Sequence, residues 1–269
     1  MRALVETTVY TDALLKSGSI ANAARTAIGS YDRTLLPVYA IKEFKAGPLK
    51  AFVWLHNKLV QLGSFEKALG ALHRMSRTPK RYVTSTALEA LQSSAYKRGN
   101  KRLDQLRETY GAYAKFDAVQ KDEYRLALKT AVKKAWKRRR SITTDVIEPL
   151  SCYKEVAPRE ERGLLVLDPV RCEPERECCL GRRLASQPEA LSRLREVTEL
   201  VDNPERARRA KALREIIRKP RQPVTESMCR ALGDVIFALF SPDDATILTT
   251  NLKDLQPLAS ALGKQAQRP

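Results

Sequence analysis

The chain has 269 residues, enough for one large domain or a core with a sizeable insertion, and its 43% apolar and 30% charged residues are a globular composition. Its 49 Lys and Arg against 31 Asp and Glu leave a net charge of +18, which favours a polyanionic partner such as nucleic acid over an acidic small molecule. No apolar run approaches the roughly 18 residues of a spanning helix, and Met1-Arg2 leads into a strand pattern rather than a signal peptide, so the expectation is a soluble cytoplasmic protein without a membrane partner.

In chain order, Ala3-Leu4-Val5-Glu6 reads as a short buried strand ending in a carboxylate, and Val9 to Leu15 as a helix capped by Thr7 or Thr8. Pro37 opens a helix holding Tyr39, Ile41, Glu43 and Phe44, which Gly47-Pro48 is expected to end. From Leu49 to about residue 140 the apolar spacing is helical, as in Phe52, Leu55, Leu59 and Leu62, and again in Leu103, Leu106 and Tyr110. Turns at Gly63, Thr78-Pro79 and Gly99 divide it. Residues 141–187 are irregular, with four prolines and one further strand signal at Leu164 to Leu167.

Helices resume at Pro188 to Val201 and Pro204 to Arg218, and Pro220 and Pro223 then mark a boundary. Beyond it come an apolar helix from Met228 to Phe240, a strand from Ala245 to Thr249 and a closing helix near Leu255 to Leu262. The predicted architecture is an α/β core split between residues 1–50 and 222–269, with a central parallel sheet covered on both faces. Residues 51–221 form a mainly helical, basic insertion. Four of the five cysteines, Cys152, Cys172, Cys178 and Cys179, fall in its irregular part. Adjacent Cys178-Cys179 lacks the paired spacing of a zinc site, so reduced thiols are expected.

Charge concentrates in residues 97–140, where 15 Lys or Arg face 5 Asp or Glu. The segment ends in Lys133, Lys134, Ala135, Trp136, Lys137, Arg138, Arg139 and Arg140, which reads either as a phosphate-binding run whose indole can stack on a base or as a solvated helix face with Trp136 in the core; the regional excess of charge favours phosphate binding. The acids point elsewhere. Glu6 ends the first strand, Asn251 and Asp254 follow the last, and Asp234 lies on an apolar helix where a carboxylate needs a partner. Open α/β sheets place their sites at the carboxyl ends of strands, so these acids are expected to meet there and hold a divalent cation. Oxygen ligands without a nearby histidine select Mg²⁺ or Mn²⁺. His56 and His73 lie in helical patterns with no diagnostic nucleophile, and no glycine-rich nucleotide motif is present.

The same residues resemble the PIN-domain ribonucleases, including the toxins of bacterial toxin–antitoxin pairs. The likeness lies in Leu4-Val5-Glu6-Thr7-Thr8-Val9, in Leu36 to Phe44 with its Glu43, in Asp234 within an apolar helical stretch, and in Thr249-Thr250-Asn251-Leu252-Lys253-Asp254-Leu255, which is similar to the family's Thr-x-Asn-x-x-Asp-Phe tail. It covers roughly the first 50 and last 45 residues. The resemblance implies a PIN-like three-layer fold and an acidic quartet of Glu6, Glu43, Asp234 and Asp254, with Asn251 a further ligand and Thr7 and Thr250 hydrogen-bonded to the carboxylates. It also implies hydrolysis of RNA, and the partners of a toxin or defence effector: an antitoxin or regulatory protein, and a second copy of the chain. Glu6 departs from the family, whose first acid is aspartate; this motivates an alternative reading as a non-catalytic nucleic-acid-binding protein on a degenerate core.

Overall fold

A computed structural model describes residues 1–76, 101, 104–105, 108, 116–148, 150, 153–170, 179–200, 203–219 and 224–269. The turns expected at Thr78-Pro79 and Gly99, the spacing at Leu103, Leu106 and Tyr110, and Cys152, Cys172 and Cys178 lie outside them.

The chain is α/β, with five parallel strands in one sheet. Strand β1 (Arg2–Val5) leads into helices α1 (Thr7–Leu15) and α2 (Gly18–Gly29), then β2 (Arg33–Pro37) and α3 (Val38–Phe44). Three long helices follow, α4 (Lys50–Leu62), α5 (Phe65–Ser76) and α6 (Phe116–Arg138), before strand β3 (Asp145–Ile147). A two-stranded antiparallel hairpin, β4 (Arg159–Glu161) and β5 (Leu164–Val166), stands apart from the sheet. Next come α7 (Cys179–Ala185), α8 (Pro188–Glu199), α9 (Pro204–Arg218), α10 (Glu226–Ala231) and α11 (Gly233–Phe240), and the chain closes with β6 (Ala245–Leu248), α12 (Leu252–Ala261) and β7 (Ala266–Gln267).

The sheet order is β3-β2-β1-β6-β7, so chain direction through the sheet reverses between β1 and β6. That reversal is the place where connections leave in opposite directions and a crevice opens beyond the carboxyl ends of the strands. The apolar runs of the two central strands are covered on both faces: Ala3, Leu4, Val5, Ile247 and Leu248 are fully buried. The two ends of the chain are thus paired in register, from Arg2 opposite Ala245 to Val5 opposite Leu248.

Several expectations change in detail. The cap of α1 is Glu6, whose carboxylate accepts from the Thr8 amide; neither Thr7 nor Thr8 fills that position. Gly47-Pro48 does not end the third helix. One wide π-helical turn, Lys45–Leu49, absorbs Pro48 and carries the chain into α4, because the longer bonding step accommodates a residue with no N–H to give. The apolar stretch Met228 to Phe240 is two helices broken at Leu232 (φ −94°, ψ 7°). Strand β3 was not apparent in the sequence because side chains dock it: Thr144 donates from Oγ1 to the Thr34 carbonyl at 2.9 Å, and each threonine accepts the other's amide. The middle of the chain therefore adds an edge strand to the sheet formed by its ends. Gly63, left-handed at φ 64°, ends α4 as expected.

The helical middle packs through α4 against α6 and through α8 against α9. Asn57 clamps the hairpin to α4, donating to the Leu165 carbonyl and accepting its amide, both at 2.8 Å. His56 beside it is fully buried, and burial holds its pKa below the usual value. Among the described residues no helix is long and apolar enough to cross a membrane.

Candidate active site

The site begins where β1 and β6 end. Glu6 continues the ladder, its amide donating to the Leu248 carbonyl at 3.0 Å, and the chain then turns into α1. The Glu6 side chain folds back over that helix start. Its Oε2 accepts from the Thr8 amide at 3.0 Å, from the Thr8 hydroxyl, and from the Thr249 hydroxyl at 3.0 Å. The two threonines in turn accept from the next loop, Thr8 Oγ1 from the Thr250 amide at 3.0 Å and Thr249 Oγ1 from the Asn251 amide at 2.9 Å. One carboxylate oxygen of Glu6 is thereby fixed by both ends of the chain.

Glu43 stands on α3, which Pro37 starts directly from the end of β2. The Thr7 hydroxyl donates to its Oε2 at 2.5 Å. Tyr39, one turn earlier on α3, lies beside the same carboxylate and donates to the Cys229 carbonyl at 3.1 Å. The break at Leu232 brings the start of α11 against Glu43 so closely that a Cβ on Gly233 would lie 3.0 Å from Oε1. Asp234, one residue on, is near enough for its charge to add to the rise of the Glu43 pKa.

These acids feel one another. Burial, opposed by the Thr8 hydroxyl and reinforced by the charges of Glu43 and Asp234, pushes the Glu6 pKa up to about 8. Burial, opposed by Thr7 and reinforced by Asp234, pushes Glu43 up to about 7. Asp234 is also raised, first by burial, with Arg209 lowering it and Asp254 adding to the rise. A crowd of carboxylates removed from water takes up protons unless cations compensate it.

Two of those cations come from the middle of the chain. Arg209 on α9 pairs through Nη2 with Asp234, and Arg206, one turn earlier, reaches Asp254 Oδ1 at 3.2 Å and the Lys253 carbonyl at 2.8 Å. Both arginine side chains are 9% exposed, and Arg209 Nε has no hydrogen-bond partner. Neither arginine was singled out in the sequence, where Pro204 to Arg218 reads only as a helix. The signal was periodic. Arg206 and Arg209 stand at three- and four-residue steps from buried Ala210, Leu213 and Ile216, on the stripe that faces the core.

The expected residues thus divide. The charges of Glu43 and Asp234 act on Glu6, that of Asp234 on Glu43 and that of Asp254 on Asp234, and the Thr7 hydroxyl donates to Glu43. Thr250 does not bond a carboxylate through its hydroxyl; it is exposed and gives its amide to Thr8, while buried Thr249 takes the expected role. Asn251 begins α12 at the rim of the site, its side chain making no capping bond. Among the described residues, no group of three or more His, Cys, Asp or Glu side chains stands arranged to hold a metal ion.

The cationic run at the end of α6 is distant in role. Trp136 is 7% exposed, on the buried stripe with Leu128, Val132 and Ala135, and Arg139 lies 4.4 Å from its ring centre. Base stacking by Trp136 is therefore corrected to core packing. Arg139 and Arg140 both pair with Glu155, at 2.6 and 2.5 Å, and Lys133 lies 3.9 Å from Glu160. Lys134 and Lys137 remain exposed, and Arg138 is half-buried.

No known protein-family model matches the sequence, no curated protein matches it, and no solved structure matches the fold.

Proposed function

We propose that the protein is a divalent-metal-dependent endoribonuclease on a PIN-like core, with Glu6, Glu43, Asp234 and Asp254 as its acidic centre. What supports this reading is that Glu6 follows β1 beside the end of β6, that Gly233, next to Asp234, stands against Glu43, and that the charges of Glu43 and Asp234 act on Glu6. Burial, reinforced by the charges of neighbouring acids, raises the pKa of Glu6 to about 8 and of Glu43 to about 7, and the donor set is oxygen only; both fit a hard cation such as Mg²⁺ or Mn²⁺. Glu6, Glu43 and Asp234 would hold it, with Asp254 and Asn251 at the rim.

Such an ion supplies a water of lowered pKa and offsets charge on the phosphate. The chain's own residues prepare the rest. Thr8 and Thr249 fix Oε2 of Glu6, and Thr7 fixes Oε2 of Glu43. The extra methylene of Glu6 relative to aspartate is taken up by its fold over the start of α1. Arg206 pairs with Asp254 and Arg209 with Asp234, where the guanidinium opposes the rise that burial imposes on the Asp234 carboxyl.

The arginines also favour the second reading, a non-catalytic nucleic-acid-binding protein, since guanidinium groups already occupy two of the acids. Incubation of purified protein with single-stranded RNA separates the two. The nuclease reading expects cleavage that Mn²⁺ or Mg²⁺ stimulates and that both chelator and Asp234→Asn abolish. Cleavage that persists under both treatments, or its complete absence with metal present, contradicts it.

A further inference from the structure

We infer that single-stranded RNA reaches the acidic centre through a cleft between the α3–α4 junction and α10, with a nucleotide flanking the scissile phosphate seated there. The inference rests on the nuclease reading only for what lies at the inner end of the cleft. The outer part has a volume of about 600 Å³ and is walled by Lys45, Lys50, Asp168, Glu226 and Arg230. It continues through a narrower part of about 50 Å³, sharing Ala46, Val170, Glu226 and Arg230, to Lys42, Tyr39 and Glu43. A solvent-connected passage thus ends on one of the coupled carboxylates, and its outer chamber falls within the range of small-ligand sites.

The local sequence explains why this wall is cationic. Lys42, Lys45 and Lys50 follow one another across the π-helical turn, and Lys45, Ala46 and Lys50 line the same chamber. Lys45 is 1% exposed, its Nζ donating to the Val156 carbonyl at 3.1 Å, so its charge sits in the floor. The two acids of the wall are already matched: Asp168 receives Arg159 at 2.5 Å and Glu226 pairs with Arg230. Exposed Lys50 adds positive charge at the mouth. A chain of phosphates suits this arrangement: it brings negative charge to the lysines and one phosphodiester to Glu43 at the inner end. At the end of α6, Arg139 and Arg140 likewise pair with an acid, Glu155, and Trp136 is buried, which leaves Lys134 and Lys137 as exposed cations there.

Fluorescence anisotropy of a labelled single-stranded RNA, measured in chelator so that no cleavage occurs, tests the cleft. Lys50→Glu with Arg230→Glu is expected to weaken binding at least about tenfold at low salt and to flatten the log–log salt dependence by about one to two. Lys134→Glu with Lys137→Glu, on the exposed end of α6, is expected to weaken it less than threefold on the order-of-magnitude scale of exposed charge contacts. Circular dichroism and the unfolding midpoint establish that both pairs are folded. As a second readout, 4-thiouridine in the RNA should crosslink to peptides covering residues 42–50 or 226–230. Equal losses for the two pairs, a greater loss at α6, or crosslinks confined to residues 129–140 would overturn the cleft. RNA bound through the cleft but never cut would defeat the nuclease reading and leave the cleft standing; RNA cut with affinity unchanged by Lys50→Glu and Arg230→Glu would do the reverse.

Discussion

Glu43→Gln is expected to stabilise the protein in alkaline solution while removing its activity. Burial and the charge of Asp234 hold the Glu43 pKa near 7, above its ordinary 4.5, so the folded chain keeps a proton that the unfolded chain releases. Stability is therefore fullest below about pH 4.5 and falls as pH rises through 7, the direction opposite to that of a salt-bridged acid. Glutamine is neutral throughout and still offers an oxygen to the Thr7 hydroxyl. At pH 8 the gain should be about 3 kcal/mol, an order-of-magnitude figure from roughly two and a half pKa units. Cleavage should drop by on the order of a hundredfold or more, the scale seen when one electrostatic group is removed from a catalytic centre. Urea unfolding at pH 5 and pH 8, alongside RNA cleavage rates, checks both halves. A stability loss at pH 8 would mean that Glu43 is held as a structural ion, and unchanged cleavage would take it out of the site.

Arg209→Ala is expected to have the opposite effect on stability. The guanidinium is the nearest compensation for Asp234, and both groups are largely withdrawn from water. Removing one partner of such a pair costs about 3 to 5 kcal/mol, most of it from the charge left behind. Two further results follow from that cause. Asp234→Asn combined with Arg209→Ala should recover much of the loss, because the stranded charge is gone. Added Mn²⁺ should also recover part of it, by binding the folded chain and supplying the missing positive charge. Unfolding midpoints of the two single variants and the double variant, each with and without Mn²⁺, measure this directly. A neutral Arg209→Ala, or a double variant no better than the single, would show that the pair is not coupled.

The way the two ends come together was legible in the sequence because it depends on patterns that neighbouring residues reveal. Ala3 to Val5 and Ala245 to Leu248 are continuous apolar runs, the mark of strands covered on both faces, and the acids follow them directly. What the sequence concealed depends on partners far along the chain. Strand β3 is held by Thr34 and Thr144, two residues with no apolar signature. Thr249 and Thr250 are adjacent and chemically alike, and only the twist of the chain leaving β6 decides that the first turns inward to Glu6.

The arginines and the tryptophan show the same limit from two sides. A run of cations with an indole reads as a nucleic-acid surface, yet Trp136 extends an apolar stripe and its neighbours Arg139 and Arg140 are matched by Glu155, 16 and 15 residues downstream. Arg206 and Arg209 drew no attention in the sequence, yet they extend the buried stripe of α9 to Asp254 and Asp234. In both cases helical periodicity held the information, and charge masked it. The π-helical turn concealed the cleft in the same way, since Gly47-Pro48 carries the local signature of a helix end.

The central claim is that the carboxylates gathered beyond β1 and β6 hold one shared divalent cation. A crystal of the protein grown with Mn²⁺ near pH 8, where Glu6 and Glu43 give up their protons most readily, tests it through anomalous scattering. The account predicts a manganese peak within about 2.0 to 2.3 Å of oxygens from Glu6, Glu43 and Asp234, with Asp254 no farther away than one bridging water. No peak among these acids, or manganese bound only at the surface while Arg209 remains on Asp234, would contradict it.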